Sequence, residues 1–411
     1  ALTLKGGEFD HFDAGSKVGG IWDIQRDDTP MYDSAHFISS KTMSGFEGYP
    51  MPESYPDYPR HDKIEAYIMD FANAHGLTDN IRFNTKITDL EKLEDGAWRV
   101  AFSDGTSKAY LGVICATGTQ WTPRMPELKG QFDGALLHSS VYKSPEMFTG
   151  KRVLIVGAGN SGCDIAVDAI HHGNSCDLSM RRGYYFVPKY VFGKPADTMG
   201  GLIQLPMWLK RRIDGLILKW FVGDPQKYGF PKPDYQLYES HPVVNSLVLY
   251  HAGHGDLKIR PDIDRIDGKV VYFTDGSSSE YDMILAATGY KLHYPFIDKE
   301  LLNWQGDAPH LYLNAMHPAR DDLFVLGMVE ASGLGWQGRH EQAEMVARYI
   351  KGLETGNAGA KALKAEKAAG FERATGGMAY LKLARMAYYV DKATYRKAVT
   401  GWIKRLSGAG A

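Results

Sequence analysis

Cysteine is scarce. The chain has three in 411 residues, Cys115, Cys163 and Cys176, with no CxxC pair and no metal-ligand spacing. That excludes a disulfide framework, a metal site built on cysteines, and the dithiol centre of a pyridine-nucleotide disulfide reductase. The three read as reduced thiols of a cytoplasmic protein. No apolar run reaches the roughly 20 residues that a membrane-spanning helix needs, no secretory pattern opens the chain, and no repeat of fixed period is present. An excess of one charge is lacking as well. Lys and Arg number 47 and Asp and Glu 49, so the net charge is −2 and nothing points to nucleic acid. What is present is 44% hydrophobic residues over a length sufficient for two or three domains with their own cores.

The most informative stretch is KRVLIVGAGNSGCDIAVDAIHHG, residues 151–173. Val153 to Val156 is a short apolar run, the pattern of a strand buried on both faces. Gly157, Gly159 and Gly162 then spell GxGxxG. The first glycine permits a tight turn, the second lets backbone approach a pyrophosphate, and the third lets the next helix pack close on the strand. That helix offers free N–H groups, including those of Asn160 and Ser161, and the positive end of its dipole to phosphate. Ile165, Ala166, Ala169 and Ile170 keep helical spacing, and Gly173 is placed to stop it. A second strand, about 176–180, runs into Arg181 and Arg182. An NAD site places an acidic residue there; paired arginines suit a 2′-phosphate, so the expected cofactor is NADPH.

Ahead of this unit, Ala1–Lys5 reads as a last helical turn stopped by Gly6 and Gly7, and Glu8–Phe12 as a strand ending at Asp13. An acidic strand end of this kind holds a ribose. The strand and glycine turn expected before it would lie roughly 20–30 residues ahead of Ala1. Gly19-Gly20-Ile21-Trp22 suggests backbone lying against a ring system. Residues 29–61, rich in Pro, Tyr, Ser and Gly, predict a long ordered loop. A helix is expected over 63–75, and strands over 81–83, 98–102 and 108–113, the last two joined by a turn at Asp104-Gly105. Ile114-Cys115-Ala116-Thr117-Gly118 and Leu285-Ala286-Ala287-Thr288-Gly289-Tyr290 each end a strand in Ala-Thr-Gly, one on either side of the Gly157 unit. They predict the crossover points of an inserted domain. Residues 202–222 carry basic residues among apolar ones. The spacing predicts a pair of helices broken at Pro206 and Gly215 and covering a site entrance, with a membrane-surface helix as the other reading. Further expectations are a strand over 323–326 ending in Gly327, a helix over 340–350, a partly helical linker over 355–370, and a docked or interfacial helix over 378–406.

In this order the pieces resemble the flavin-containing monooxygenases, in their bacterial and plant branch. The most specific element is Phe132, Gly134, His138 and Tyr142, spaced as FxGxxxHxxxY; the related Baeyer–Villiger enzymes usually carry Trp in the last position. The resemblance spans nearly the whole chain, including Gly229–Asp234 and His241–Asn245. It implies an α/β fold of two Rossmann-like dinucleotide-binding domains and C-terminal helices. The NADPH domain (148–282, with a helical insertion about 196–250) would be inserted into a split FAD domain (1–147 and 283–411). It also implies an NADPH- and FAD-dependent monooxygenase acting through a flavin hydroperoxide on soft nucleophiles, by N- or S-oxygenation of a small sulfide or amine with dioxygen. Two alternatives stand beside it: Baeyer–Villiger oxygenation of a ketone, and a non-catalytic NADPH-binding remnant that has lost flavin. A homodimer and a peripheral membrane contact fit the same reading.

Carried onto this sequence, the resemblance assigns Asp13, Gly20, Trp22, Lys41, Thr117 and Gly327 to FAD. NADPH takes Gly157, Gly159, Asn160, Ser161, Gly162, Arg181 and Arg182. His138 is expected at the domain junction as a hinge or cofactor-orienting residue. Many members place an Asn beside the flavin where this chain has Ile38, so the hydroxyl of Ser40 is the candidate to replace that amide.

Overall fold

The computed structural model describes residues 1–199 and 206–408. Five parallel strands form the central sheet: β1 (Ala135–His138), β2 (Arg152–Val156), β3 (Ser175–Ser179), β4 (Leu257–Arg260) and β5 (Met283–Ala286), in the spatial order β4-β3-β2-β5-β1. Side chains alternate across a strand, and both faces of this sheet are covered. Val153 and Ile155 join Leu178, Leu257 and Leu285 against helices α1 (Asn160–His172) and α3 (Leu247–His254), through Ile165, Ala166, Ala169 and Val248. Leu154, Val156 and Ile284 face the other way, onto Tyr281 and onto Val271 and Phe273 of a four-stranded sheet. Two-sided burial is why RVLIV carries no polar residue after Arg152. That arginine caps the layer by pairing with Asp282 at 2.9 Å and with Glu280.

Two strands of this sheet lie outside the interval 148–282. β1 precedes it and β5 follows it, and both pair in register with the central strands, Ala135 opposite Met283 and Val153 opposite Met283. The sheet therefore closes over the crossover segments instead of starting after them.

The flanking segments meet each other. Val113–Cys115 pairs in parallel with β6 (Leu323–Val325), and His11–Phe12 with Ile81–Arg82. An antiparallel sheet of Ile87–Lys92, Trp98–Phe102 and Ser107–Tyr110 lies alongside, its last turn at Gly105 as expected. The strand Ile87–Lys92 has no expectation behind it, because its outer face alternates into Thr88, Asp89 and Glu91 and hides the apolar pattern.

Three expectations for the helices are corrected. α2 (Met207–Val222) is one continuous helix, not a pair: Pro206 is its N-cap and Gly215 passes through its interior. Nothing lies within 4 Å of a Cβ built on Gly215, so this glycine costs only its propensity, about 1 kcal/mol. Residues 202–205 of the same expectation lie outside the described residues. The supposed linker holds a packed helix, α5 (Ala358–Ala368), with Ala360 and Leu363 fully buried. Residues 378–406 are helical only at Ala384–Tyr388 and in α6 (Lys392–Leu406), which docks on α4 (Gly335–Glu354) through Tyr395, Val399 and Trp402. Among the described residues no helix is long and apolar enough to cross a membrane.

Candidate functional site

The glycine turn has the geometry its spacing implies. Gly157 has φ +103°, a conformation that disfavours side chains, and a Cβ there would sit 2.6 Å from the Ala287 carbonyl oxygen. A Cβ on Gly162 would sit 2.0 Å from the Gly157 carbonyl oxygen, so helix α1 leaves the strand at backbone contact. Gly159 differs. Its φ is an ordinary −72°, and a Cβ there would meet nothing within 4 Å. Open space therefore faces the N-terminus of α1, which no side chain caps. A free helix N-terminus with room in front of it suits an anion.

The arginines at the end of β3 behave differently from each other. Arg181 is exposed and makes no ion pair among the described residues, whereas Arg182 lies 3.4 Å from Asp234. The Gly229–Asp234 stretch is pressed onto this corner: a Cβ on Gly183 would stand 2.1 Å from the Pro231 carbonyl oxygen. His241–Asn245 clamps the first turns of α1. The Val244 N–H donates to Asn160 Oδ1 at 2.7 Å, and Asn245 Nδ2 donates to Asp164 at 2.6 Å. The Asn160 side chain is thus engaged by protein, while Ser161 stays exposed.

The fingerprint residues tie β1 to its neighbours. Gly134 leaves no room for a Cβ, which would meet the Asp282 carbonyl oxygen and the Phe132 ring at 2.6 Å. His138, at the end of β1, reaches the Gly289 carbonyl through Nε2 at 3.0 Å and takes the Ser140 N–H on Nδ1 at 3.1 Å. Both ring nitrogens are used, and burial lowers its pKa. The imidazole is a neutral tie between the strand and the second Ala-Thr-Gly turn, with no lone pair left for a reacting proton. Tyr142, fully buried, donates to Asp168 of α1 at 2.7 Å, and its ring packs on Tyr32 and Phe148.

The residues assigned to flavin lie in the flanking segments. Gly19 and Gly20 have φ of +139° and +56° and open a short turn that ends at Trp22. Trp22 packs on Phe37 at 5.2 Å between centroids, and Phe37 meets Trp336 edge-on at 5.5 Å. Asp13 accepts the Gly15 N–H at 2.6 Å and lies 3.5 Å from Arg26. Thr117 is exposed, its carbonyl accepting from the Trp121 indole N–H. Gly327, at φ +82°, donates its N–H to Gln342 at 2.9 Å, and a Cβ there would again meet nothing within 4 Å. Lys41 is tied to the carbonyls of Glu53 and Tyr55, at 2.7 and 2.5 Å, instead of reaching freely into space. Ser40 is fully buried, and its backbone N–H donates to Asp197 at 2.6 Å.

Asp197 had no sequence signal. It lies in the excursion between β3 and α2, 157 positions from Ser40, and only folding brings them together. The same seam is stitched by Tyr58 to the Lys189 carbonyl and by Tyr190 to Asp57 at 3.2 Å. Next to it, a cavity of about 930 Å3 opens between residues 185–199 and α2, lined by Val187, Ile213, Ile217, Phe221 and Ser332 among others. Its polar spot is Lys210, which pairs with Asp214 and the Tyr238 hydroxyl.

Comparison with known proteins follows this geometry. The family described as "Flavin-binding monooxygenase-like" matches residues 5–391. Flavin-containing monooxygenase 3 of Rattus norvegicus is 28% identical over 366 residues, covering 83% of this chain and 69% of that protein. Two solved structures share the fold. S-allyl-L-cysteine S-oxygenase from Allium sativum has a TM-score of 0.64 at 18% identity, over 100% of this chain and 85% of that one. Cyclohexanone monooxygenase in an open form has a TM-score of 0.68 at 17% identity, over 98% of this chain and 93% of that one.

Proposed function

Because the chain belongs to the flavin-binding monooxygenase-like family and is a flavin-dependent monooxygenase, we propose that it uses NADPH and FAD to oxygenate the sulfur or nitrogen of a small molecule with dioxygen. In this reading residues 148–282 carry NADPH and residues 1–147 and 283–411 carry FAD, with β1 and β5 joining the two units. NADPH supplies hydride, and FAD supplies the means of activating dioxygen. The chain's own residues do the rest. Gly157, Gly159 and Gly162 bring the N–H groups of α1, Ser161 among them, to the pyrophosphate, and Arg181 and Arg182 meet the 2′-phosphate. Gly20, Trp22, Gly327 and Asp13 frame the flavin. Ser40, whose hydroxyl is buried, ties its segment to Asp197 through its backbone N–H. Tyr142 and His138 fix the relative setting of the two units, and the apolar wall of α2 excludes water from the approach.

The observation that carries this reading is the open ground in front of Gly159, at an uncapped helix N-terminus, together with an exposed Arg181 after β3 that makes no ion pair among the described residues. The test is a turnover assay. Purified protein with FAD should consume NADPH and dioxygen faster when a sulfide is added, and should yield the sulfoxide. A ketone run alongside distinguishes ester formation. Equal rates with NADH, or no NADPH consumption with FAD bound, would refute the proposal.

A further inference from the structure

Helix α2 is fastened to the protein by its polar side chains. Lys210 pairs with Asp214 and with the Tyr238 hydroxyl. Arg211 donates to the Leu237 carbonyl and to Glu239, both at 3.1 Å. The apolar side chains are the exposed ones. No residue of α2 is buried, and Trp220, Trp208 and Leu216 are 87%, 64% and 60% exposed. A helix on the surface of a globular protein normally has the opposite arrangement, apolar inward and charged outward. At about 100° per residue, Ile213, Leu216, Ile217 and Trp220 fall within one arc of about 100°, and Arg212 and Lys219 lie together on one flank of it. Both cations are exposed and make no ion pair among the described residues, and the one acid of the helix, Asp214, is taken up by Lys210. The face is therefore apolar and edged, on this helix, by positive charge alone.

It continues onto the hairpin in which Tyr190–Val191 pairs with Lys194–Pro195. Phe192, at the tip of that hairpin, is 78% exposed and meets the Phe221 ring edge-on at 5.0 Å between centroids. Phe192, Leu216, Trp220 and Phe221 also line the cavity beside α2, so the apolar wall of the cavity is continuous with the exposed face.

We propose that this face, α2 together with the Phe192 hairpin, docks on an anionic lipid bilayer, with α2 lying in the plane of the surface. Tryptophan, phenylalanine and leucine enter the boundary between headgroups and acyl chains, and Arg212 and Lys219 beside them meet lipid phosphate. Trp208 and Trp220 stand about 18 Å apart along the helix axis and anchor both of its ends. A second protein could also cover apolar surface, but charge of one sign along the edge matches a phosphate-bearing surface. This docking requires no spanning segment, and it does not rest on the cofactor reading above.

The test is co-sedimentation of the full chain with vesicles of phosphatidylcholine alone and of phosphatidylcholine mixed equally with phosphatidylglycerol, at about 0.1 M and about 0.5 M NaCl. At low salt wild type should bind the anionic vesicles at least about tenfold more strongly than the neutral ones, and high salt should remove most of that difference. Arg212→Gln with Lys219→Gln should weaken anionic binding by roughly fivefold per charge. Trp208→Ser with Trp220→Ser should weaken it at least about tenfold. All four positions are exposed, so an unchanged Tm shows that each variant is folded; Leu216→Glu serves if the tryptophan variant is not. Wild type that stays in the supernatant with both kinds of vesicle overturns the proposal. So does binding that survives the tryptophan variant. So does a face that closes a dimer instead, seen as a concentration-dependent mass in light scattering that the same variant abolishes.

Discussion

Replacing Gly159 by alanine separates fold from function at the glycine turn. The position has φ −72° and ψ 179°, which alanine adopts without strain, and the new methyl would meet no protein atom within 4 Å. At the N-cap, glycine is preferred over alanine, by somewhat under 1 kcal/mol. The loss of unfolded-state freedom returns about 0.4–1 kcal/mol. These offset, so stability should stay within about 0.5 kcal/mol and Tm within about 2 °C. Binding should respond quite differently. The methyl fills the ground on which a pyrophosphate lies, and losing one charge-assisted N–H bond costs about 1.5–3 kcal/mol. NADP+ affinity should fall roughly 10- to 100-fold. Gly162→Ala is the contrasting case. Its Cβ would stand 2.0 Å from the Gly157 carbonyl oxygen, backbone that can yield only if α1 moves. Overpacking of that kind costs typically about 1–3 kcal/mol, so Tm and affinity should drop together. Scanning fluorimetry and NADP+ titration on both variants decide the matter. If Gly159→Ala binds NADP+ as wild type does, no phosphate approaches this turn and the reasoning is wrong.

Two further outcomes follow from buried charge and buried imidazole. The Lys367 ammonium is almost wholly buried among the carbonyls of His317, Pro318 and Arg320, at 2.9, 3.2 and 2.8 Å, and pairs with Asp321 at 3.0 Å. Lys367→Met should cost about 3–5 kcal/mol in urea denaturation; a loss below about 1 kcal/mol would show that the loop does not depend on it. Burial pushes His241 down to about 3, and burial with the nearby Arg320 and Lys367 charges pushes His317 down to about 4. An unfolded histidine titrates near 6.5, so the folded state resists protonation. The stability these two contribute is complete above about pH 6.5 and is lost as pH falls toward about 4 for His317 and about 3 for His241. Between pH 7 and pH 5 the loss should be roughly 2 kcal/mol for each, and a flat urea midpoint across that range would contradict it.

The central unit was legible because its constraints are local. A run such as RVLIV can satisfy itself only between two covered faces, and GxGxxG fixes a turn within six residues. The same locality explains the hairpin at Asp104-Gly105. The helix errors have the opposite cause. Gly215 looks like a breaker, but an exposed helix tolerates one glycine. Residues 358–368 look like a linker, because the buried Lys367 appears soluble until its carbonyl cage is assembled.

By itself the sequence determined the strand-turn-helix at 152–172, the arginines after β3 and the fingerprint that marks the family, since each depends on neighbours in the chain. Tertiary structure alone decided what the fingerprint does: His138 and Tyr142 spend their polar atoms on Gly289 and Asp168, from elements 151 and 26 residues away. It alone decided that Asp197 meets Ser40. Hydrogen bonds between distant segments leave no period or spacing in a single sequence, because their partners are chosen by packing and not by chain order.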